Sequence, residues 1–98
     1  MENANNYASF IKRIVTTTPE IRKRLLESSN AKIIKAICEI FLNIYHKQIR
    51  LSKEALKKLK KHKKFIVKIL SKSTNTLQRK QLLVKNSDSL INLREIFK

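Results

Sequence analysis

The sequence predicts an all-α fold, a small compact bundle of five to six short helices around a central apolar helix. Glycine is absent and Pro19 is the only proline, whereas β-hairpins and tight left-handed turns depend on glycine. Apolar residues recur at helical spacing in several segments, and the serine, threonine and asparagine residues between those segments are candidate helix caps. We expect residues 1–98 to form a single basic helical domain, frayed at residues 1–5 and at residue 98.

Two short amphipathic helices are expected in the first part of the chain. The first has apolar residues at the spacing i, i+3, i+4, i+7 and i+8, namely Tyr7, Phe10, Ile11, Ile14 and Val15. Residues 18–20, Thr-Pro-Glu, are typical of a helix start, with an N-cap, a proline at the first helical position and an early acidic residue. The second helix should end near Glu27, with Ile21 and Leu25 facing inward and Arg22 facing outward among other basic residues.

The segment from Ala31 to about Gln48 is the most apolar part of the chain and is expected to form the central helix. Apolar side chains would cover roughly half of its circumference, and they are Ile33, Ile34, Ile37, Cys38, Ile40, Phe41, Leu42, Ile44 and Tyr45. A helix this apolar is normally contacted on several sides. Because Cys38 lies among these residues, we interpret it as a small, unreactive core residue rather than as a nucleophile.

The segment from Lys53 to Lys72, which follows the candidate cap Ser52, is the most basic. As one continuous helix with about 100° per residue, it would place its apolar residues on one side, namely Ala55, Leu56, Leu59, Ile66, Ile69 and Leu70. The other side would carry Lys53, Lys57, Lys60, Lys61, Lys64, Lys68 and Lys72, with Lys58 and Lys63 at its flanks. We interpret His62 as a partly buried packing residue, and Phe65 as a residue that packs on a neighbouring element rather than stacking on a base.

Lysines gathered on one helical face repel one another, by a few tenths of a kcal/mol for each i,i+4 pair. This cost indicates a role beyond folding, and an ordinary solvated lysine-rich face is the alternative interpretation. After a break at Asn75, a further basic helix is expected from Leu77 to about Lys85, and its Arg79, Lys80 and Lys85 would extend the lysine surface. The residues that suggest a last helix are Leu90, Leu93 and Phe97.

The balance of charge predicts a polyanionic partner. The chain has 23 lysine and arginine residues against 7 aspartate and glutamate residues, a formal net charge of +16, which favours association with nucleic acid. Lysine suits phosphate neutralisation, whereas base reading favours arginine, asparagine and glutamine, so we expect binding to nucleic acid, in particular DNA, without sequence specificity. The residues expected to bind it are Lys53, Lys57, Lys58, Lys60, Lys61, Lys64, Lys68, Lys72, Arg79 and Lys80.

Other classes of function have less support in the sequence. His46 and His62 lie in no recognisable catalytic or metal-binding spacing, the carboxylates are scattered, and the usual phosphate-binding loop needs glycine. We therefore expect no enzyme activity, no cofactor and no metal site. No apolar run approaches the roughly 18 residues of a membrane span, and the first residues do not resemble a signal peptide, so we expect an intracellular protein that is not secreted and has no membrane span.

Three segments within residues 25–85 carry a family resemblance. They are residues 25–39, which include Ala-Lys-Ile-Ile-Lys-Ala-Ile-Cys-Glu, residues 51–64, which include Leu-Lys-Lys-His-Lys-Lys, and residues 79–84, Arg-Lys-Gln-Leu-Leu-Val. The chain is similar there to short basic proteins encoded by Polinton/Maverick-type elements and adintoviruses, which are candidate virion core proteins in the broad adenovirus-like sense. The resemblance implies a DNA-associated protein of a virus or virus-like element, active in the virion core or in genome packaging and located in the virion or the host nucleus.

The chain departs from the family pattern after Val84, and two other functions remain open. Family members usually continue with glutamine, a Gly-Gly pair and a hydrophobic tail, whereas this chain has Lys-Asn-Ser-Asp at residues 85–88, so a role that depends on that tail is not implied here. The first alternative is a structural protein, associated with a capsid protein or forming a homo-oligomer, whose basic surface contacts acidic protein. The second is a cationic helix that acts at anionic membrane surfaces.

Overall fold

All secondary structure in residues 7–97 is helical, which confirms the predicted all-α fold class. The computed structural model describes these residues except for the side chains of Glu95 and Phe97, so the predicted fraying of residues 1–5 and of residue 98 lies outside the described part of the chain. Seven helices lie in this range, whereas the sequence predicts five to six. They are α1 (Ala8–Thr16), α2 (Pro19–Glu27), α3 (Ala31–Tyr45), α4 (Lys53–Lys60), α5 (Lys63–Leu70), α6 (Thr76–Lys85) and a 3-10 helix (Ser87–Phe97).

Helix α3 is the centre of the packing, as its composition predicts. It begins after the cap Asn30, whose side-chain oxygen accepts a hydrogen bond from the N–H of Ile33 at 3.0 Å. It packs against α5 and α6, while α1 and α2 pack against each other and against the 3-10 helix. The buried residues of α3 are Ile33, Ile34, Ala36, Ile37, Cys38, Ile40, Phe41 and Ile44.

Helix α3 ends at Tyr45, before the predicted end at Gln48, in a turn that usually contains glycine. Lys47 has a positive φ of 61°. Its N–H donates to the carbonyl of Ile44 at 3.0 Å, and the N–H of Gln48 donates to the carbonyl of Asn43 at 2.8 Å. This pair of bonds is a Schellman motif, which favours glycine at the position of Lys47 because a Cβ in this conformation costs about 1–2 kcal/mol. In a chain without glycine, a lysine accepts that strain to close the central helix.

The 3-10 helix packs against α1, α2 and α4 through a row of residues spaced three positions apart. Ser87, Leu90 and Leu93 are buried, and Ile96 is half-buried. A 3-10 helix has about three residues per turn, so the side chains at i and i+3 align along it. The spacing of these residues therefore matches the 3-10 geometry better than the α-helical geometry.

Helix α2 is rotated from its predicted orientation. We expected Ile21 and Leu25 to face inward and Arg22 to face solvent. Instead Ile21 is 42% exposed, and the fully buried side chains of this helix are those of Arg22 and Leu26. These two residues are about one α-helical turn apart and so lie on the same side. Leu25 is half-buried against the core, as predicted. The prediction was wrong for Ile21 and Arg22, because it assumed that every basic residue of this helix is solvated.

Arg22 is buried because it donates to carbonyl groups at the end of α1. Its Nε donates to the carbonyl of Ile14 at 2.9 Å, and its Nη2 donates to the carbonyl of Thr17 at 2.8 Å. Arg94, in the 3-10 helix, donates from Nε to the carbonyl of Val15 at 3.2 Å. The last carbonyls of a helix lack partners within it and carry partial negative charge. Two guanidinium groups thus cap this end of α1. Burial lowers the pKa of Arg22, and the nearby positive charge of Arg94 is a smaller cause of the same shift.

Replacing Arg22 should destabilise the fold, even though the change removes a positive charge from a very basic protein. Arg22→Met keeps much of the buried volume but leaves two carbonyls without their donors, so the free energy of unfolding should fall by about 2–4 kcal/mol. Arg24→Met removes the same charge from an exposed position of the same helix and should change it by less than about 0.5 kcal/mol. Urea unfolding followed by circular dichroism measures both variants, and equal stabilities would contradict the capping role.

Candidate nucleic-acid interface

The lysine-rich segment forms two helices, so the prediction of one continuous helix was wrong. Helix α4 ends at Lys60 and α5 begins at Lys63, and in the turn between them the N–H of His62 donates to the carbonyl of Leu59 at 2.9 Å. On a continuous helix, Leu59 and Phe65 would point about 120° apart, yet both are buried. The turn thus separates the helix that carries Leu59 from the helix that carries Phe65.

Phe65 packs on α3, which confirms its interpretation as a packing residue. Its ring meets that of Phe41 edge to face, with the ring centroids 6.0 Å apart and the planes at 87°, a favourable geometry for two aromatic rings. His62 is half-buried at the turn, as expected for a partly buried packing residue. The aromatic pair fixes α5 against the central helix and thereby sets the position of the lysines on α5.

All nine lysines between residues 53 and 72 have exposed side chains. Within α4, the positions of Lys53, Lys57 and Lys60 fall on one side of the helix, and within α5 Lys64 and Lys68 are about one turn apart. The residues predicted to bind nucleic acid that belong to this set are Lys53, Lys57, Lys58, Lys60, Lys61, Lys64, Lys68 and Lys72. They lie on two short helices and the adjoining turns. The prediction that they share one face of a single helix was therefore wrong.

The apolar residues of the same segment also differ from expectation at one position. The residues that keep their predicted inward positions are Ala55, Leu59, Ile66, Ile69 and Leu70. Leu56 was expected among them but is 39% exposed. It lies instead at the wall of a groove formed with α5 and the end of α3.

Arg79 and Lys80 hold carbonyl groups of neighbouring loops. The half-buried Arg79 donates from Nη2 to the carbonyl of Ser71, just after α5, at 3.2 Å. The half-buried Lys80 donates from Nζ to the carbonyl of Ser29, just after α2, at 3.1 Å. Sequence reasoning missed these roles because nothing in a basic helix marks which cations turn inward. Their predicted contact with nucleic acid stays a prediction.

A polar cavity lies between α5, α6 and the loop that joins them. It has a volume of about 450 Å³ and is lined by Lys68 and Lys85 together with hydroxyl and amide side chains. The loop is held by Thr74, whose hydroxyl donates to the carbonyl of Lys68 at 2.8 Å. It is also held by a capping box, in which the N–H of Asn75 donates to the side chain of Gln78 at 2.9 Å and the N–H of Gln78 donates back at 2.8 Å. This cavity places one predicted lysine beside a second lysine from the next helix.

Cys38 belongs to the core, as predicted. Its side chain is 6% exposed, and burial raises the pKa of the thiol to about 11, with a smaller opposing effect from Arg79. The thiolate is the reactive form of cysteine. At neutral pH the group is therefore a neutral, shielded thiol.

Thiol reagents should label Cys38 slowly in the native protein and quickly after denaturation. Because burial raises the folded pKa, native labelling at neutral pH should reflect rare opening of the structure rather than direct attack on the buried thiol. Cys38→Ala should cost about 1 kcal/mol of stability for the small volume lost. Native labelling as fast as that of the denatured chain, read by mass spectrometry, would contradict the buried position.

Comparison with known proteins adds no further assignment. No family model, curated protein or solved structure matches the chain, and the resemblance to short basic proteins of Polinton/Maverick-type elements and adintoviruses stays a prediction. No helix within residues 7–97 is long and apolar enough to cross a membrane. In that same range, no three side chains of histidine, cysteine, aspartate or glutamate are grouped so that they could hold a metal ion.

Proposed function

We propose that this protein binds nucleic acid, principally DNA, without sequence specificity, through the exposed lysines of α4, α5 and the adjoining turns. The observation that carries the proposal is the exposure of all nine lysines between residues 53 and 72. Exposed ammonium groups on flexible stems neutralise phosphates as point charges and have no fixed geometry for reading bases. Most of the binding free energy would come from release of counterions condensed on the phosphate backbone.

The net charge supports the same proposal. A chain with a formal charge of +16 is destabilised by its own repulsion and attracts polyanions over long distances. Within α4 and α5, lysines at i and i+4 repel each other in the free protein, and phosphates placed between them would relieve that repulsion. Binding should therefore stabilise the two helices as well as hold the nucleic acid.

In this proposal the polar cavity between α5 and α6 would hold one phosphate of the nucleic acid. Lys68 and Lys85 both line it, and they come from different helices whose relative position is fixed by the loop capped at Asn75. A phosphate seated there would interact with two cations at once, whereas the lysines of α4 extend separately into solvent. Lys85 thus joins the predicted binding residues in this proposal.

The biological setting in this proposal is a virus or virus-like element. It is supported by the resemblance of residues 25–85 to candidate virion core proteins, and it assigns the protein to the virion core or to genome packaging, in the virion or the host nucleus. The DNA-binding proposal rests on the exposed lysines and does not depend on this setting.

The affinity for duplex DNA should decrease steeply with salt. If the lysines neutralise roughly five phosphates, the logarithm of the association constant should fall against the logarithm of salt concentration with a slope of about −4 to −5. Fluorescence anisotropy of a labelled short duplex, titrated at several salt concentrations between about 50 and 200 mM, gives this slope. Duplexes of unrelated sequence should give the same slope, and either a flat affinity or no binding at low salt would contradict the proposal.

Charge reversal within the lysine segment should weaken binding without unfolding the protein. Lys60→Glu with Lys64→Glu changes two exposed positions, so helicity by circular dichroism should persist, while the salt slope should decrease by about one for each lost phosphate contact. The matched control is Lys32→Glu with Lys35→Glu, which alters the net charge equally at exposed positions of α3. If both double variants lose the same affinity, the charge acts as a whole and the lysine segment is not the binding surface.

A further inference from the structure

An apolar groove is open to solvent where the end of α3 meets α4 and α5. It has a volume of about 550 Å³. Its exposed walls include Tyr45 at 65%, Leu56 at 39% and Val67 at 53% exposure. Each of these three side chains comes from a different helix, so the groove is a product of the tertiary fold and not of one unusual helix.

The exposure of these side chains is not required by the fold. Their helices are already attached to the core through buried neighbours, such as Phe41 in α3 and Leu59 in α4, which form the floor of the groove. Contiguous exposed apolar surface on a small protein usually marks a contact with another molecule. Tyrosine is enriched in protein interfaces because its ring provides apolar area and its hydroxyl remains able to form a hydrogen bond.

The positive charge around the groove favours an acidic partner over a basic one. Lys60 and Lys63 also line it, at the two ends of the turn between α4 and α5. A second copy of the chain would bring another charge of +16 to this contact, and like charges placed together oppose association. A partner with apolar residues on one side and carboxylates at its edges would match both the walls and the rim.

We propose that the groove binds an amphipathic acidic helix of another protein. Apolar side chains of that helix, spaced i, i+3 or i+4 and i+7, would lie against Tyr45, Leu56 and Val67, as in other helix-in-groove complexes. Its carboxylates would pair with Lys60 and Lys63. This interaction goes beyond nucleic-acid binding and does not depend on it, although the two partners would compete for Lys60 and Lys63.

Two synthetic peptides of identical composition test the pattern that the groove should recognise. The first has leucines on one helical face and glutamate, glutamine and alanine on the others, and the second has the same residues scrambled so that no apolar face forms. Fluorescence anisotropy at physiological salt should show the first peptide binding at least about tenfold more tightly. Equal affinities, or no binding of the first peptide, would overturn the proposal, because charge alone or nothing would then be recognised.

Variants of the groove separate this interaction from DNA binding. Leu56→Gln with Val67→Gln replaces two exposed side chains and should reduce the first peptide's affinity to that of the scrambled peptide, with unchanged helicity and an unchanged salt slope for DNA. Lys60→Gln with Lys63→Gln should weaken both peptides, and it provides a second test if the groove variant unfolds. Unchanged peptide affinity in a folded groove variant would overturn the proposal.

The same groove variant identifies the other possible occupants. Dimerisation of the wild-type protein in sedimentation equilibrium that is lost in the Leu56→Gln, Val67→Gln variant would assign the groove to a second copy of this chain and overturn the proposal. Binding to vesicles of anionic phospholipid that is lost in the same variant would assign it to a membrane surface, with the same consequence. Neither effect is expected.

Discussion

Bonds between basic side chains and carbonyl groups at or near helix ends connect the helices that surround the apolar core. Four cations make such bonds, and together they connect α1 to α2 and the 3-10 helix, α2 to α6, and α5 to α6. The bonds are Arg22 to Ile14 and Thr17, Arg94 to Val15, Lys80 to Ser29 and Arg79 to Ser71. Helix ends are commonly closed by glycine, which this chain lacks. Cationic side chains also complement the partial negative charge at a helix C-terminus, so part of the basic excess serves the fold.

The positive charge of the chain is thus divided between two uses. Among the carbonyl-bonded cations, Arg22 is fully buried, Arg79 and Lys80 are half-buried, and Arg94 is exposed. The lysines of α4 and α5 are exposed and contribute repulsion to the free protein. A polyanion would remove that repulsion, and the bonds of the inward cations to carbonyl groups would remain in place. The division explains how a chain with so few carboxylates can both fold and present a basic surface.

The sequence predicts most of this fold, and its errors have identifiable causes. The central helix was predictable because its apolar arc is wide and Asn30 is a strong cap. The turn at residues 61–62 was not predictable, since the spacing of the apolar residues between 53 and 72 fits one continuous helix.

The inward turn of Arg22, Arg79 and Lys80 could not be read from local sequence. A basic residue among basic neighbours is normally solvated, and the carbonyls that these three bind belong to other elements. The groove is equally a tertiary feature, since Tyr45 and Leu56 lie on the apolar sides of their helices, and the groove that they line includes residues of three helices. The exposure of the lysines, in contrast, follows directly from charge and needed no knowledge of the packing.

The most direct test of the division of charge is chemical-shift mapping of the backbone amides during titration with a short DNA duplex. The account predicts that the largest changes fall between residues 53 and 72 and around Lys85, with little change at Arg22 or at the carbonyl-bonded end of α1. Helices α1 and α2 also carry exposed basic residues, Lys12, Arg13, Lys23 and Arg24. Changes concentrated on those helices, with α4 and α5 unaffected, would contradict the account.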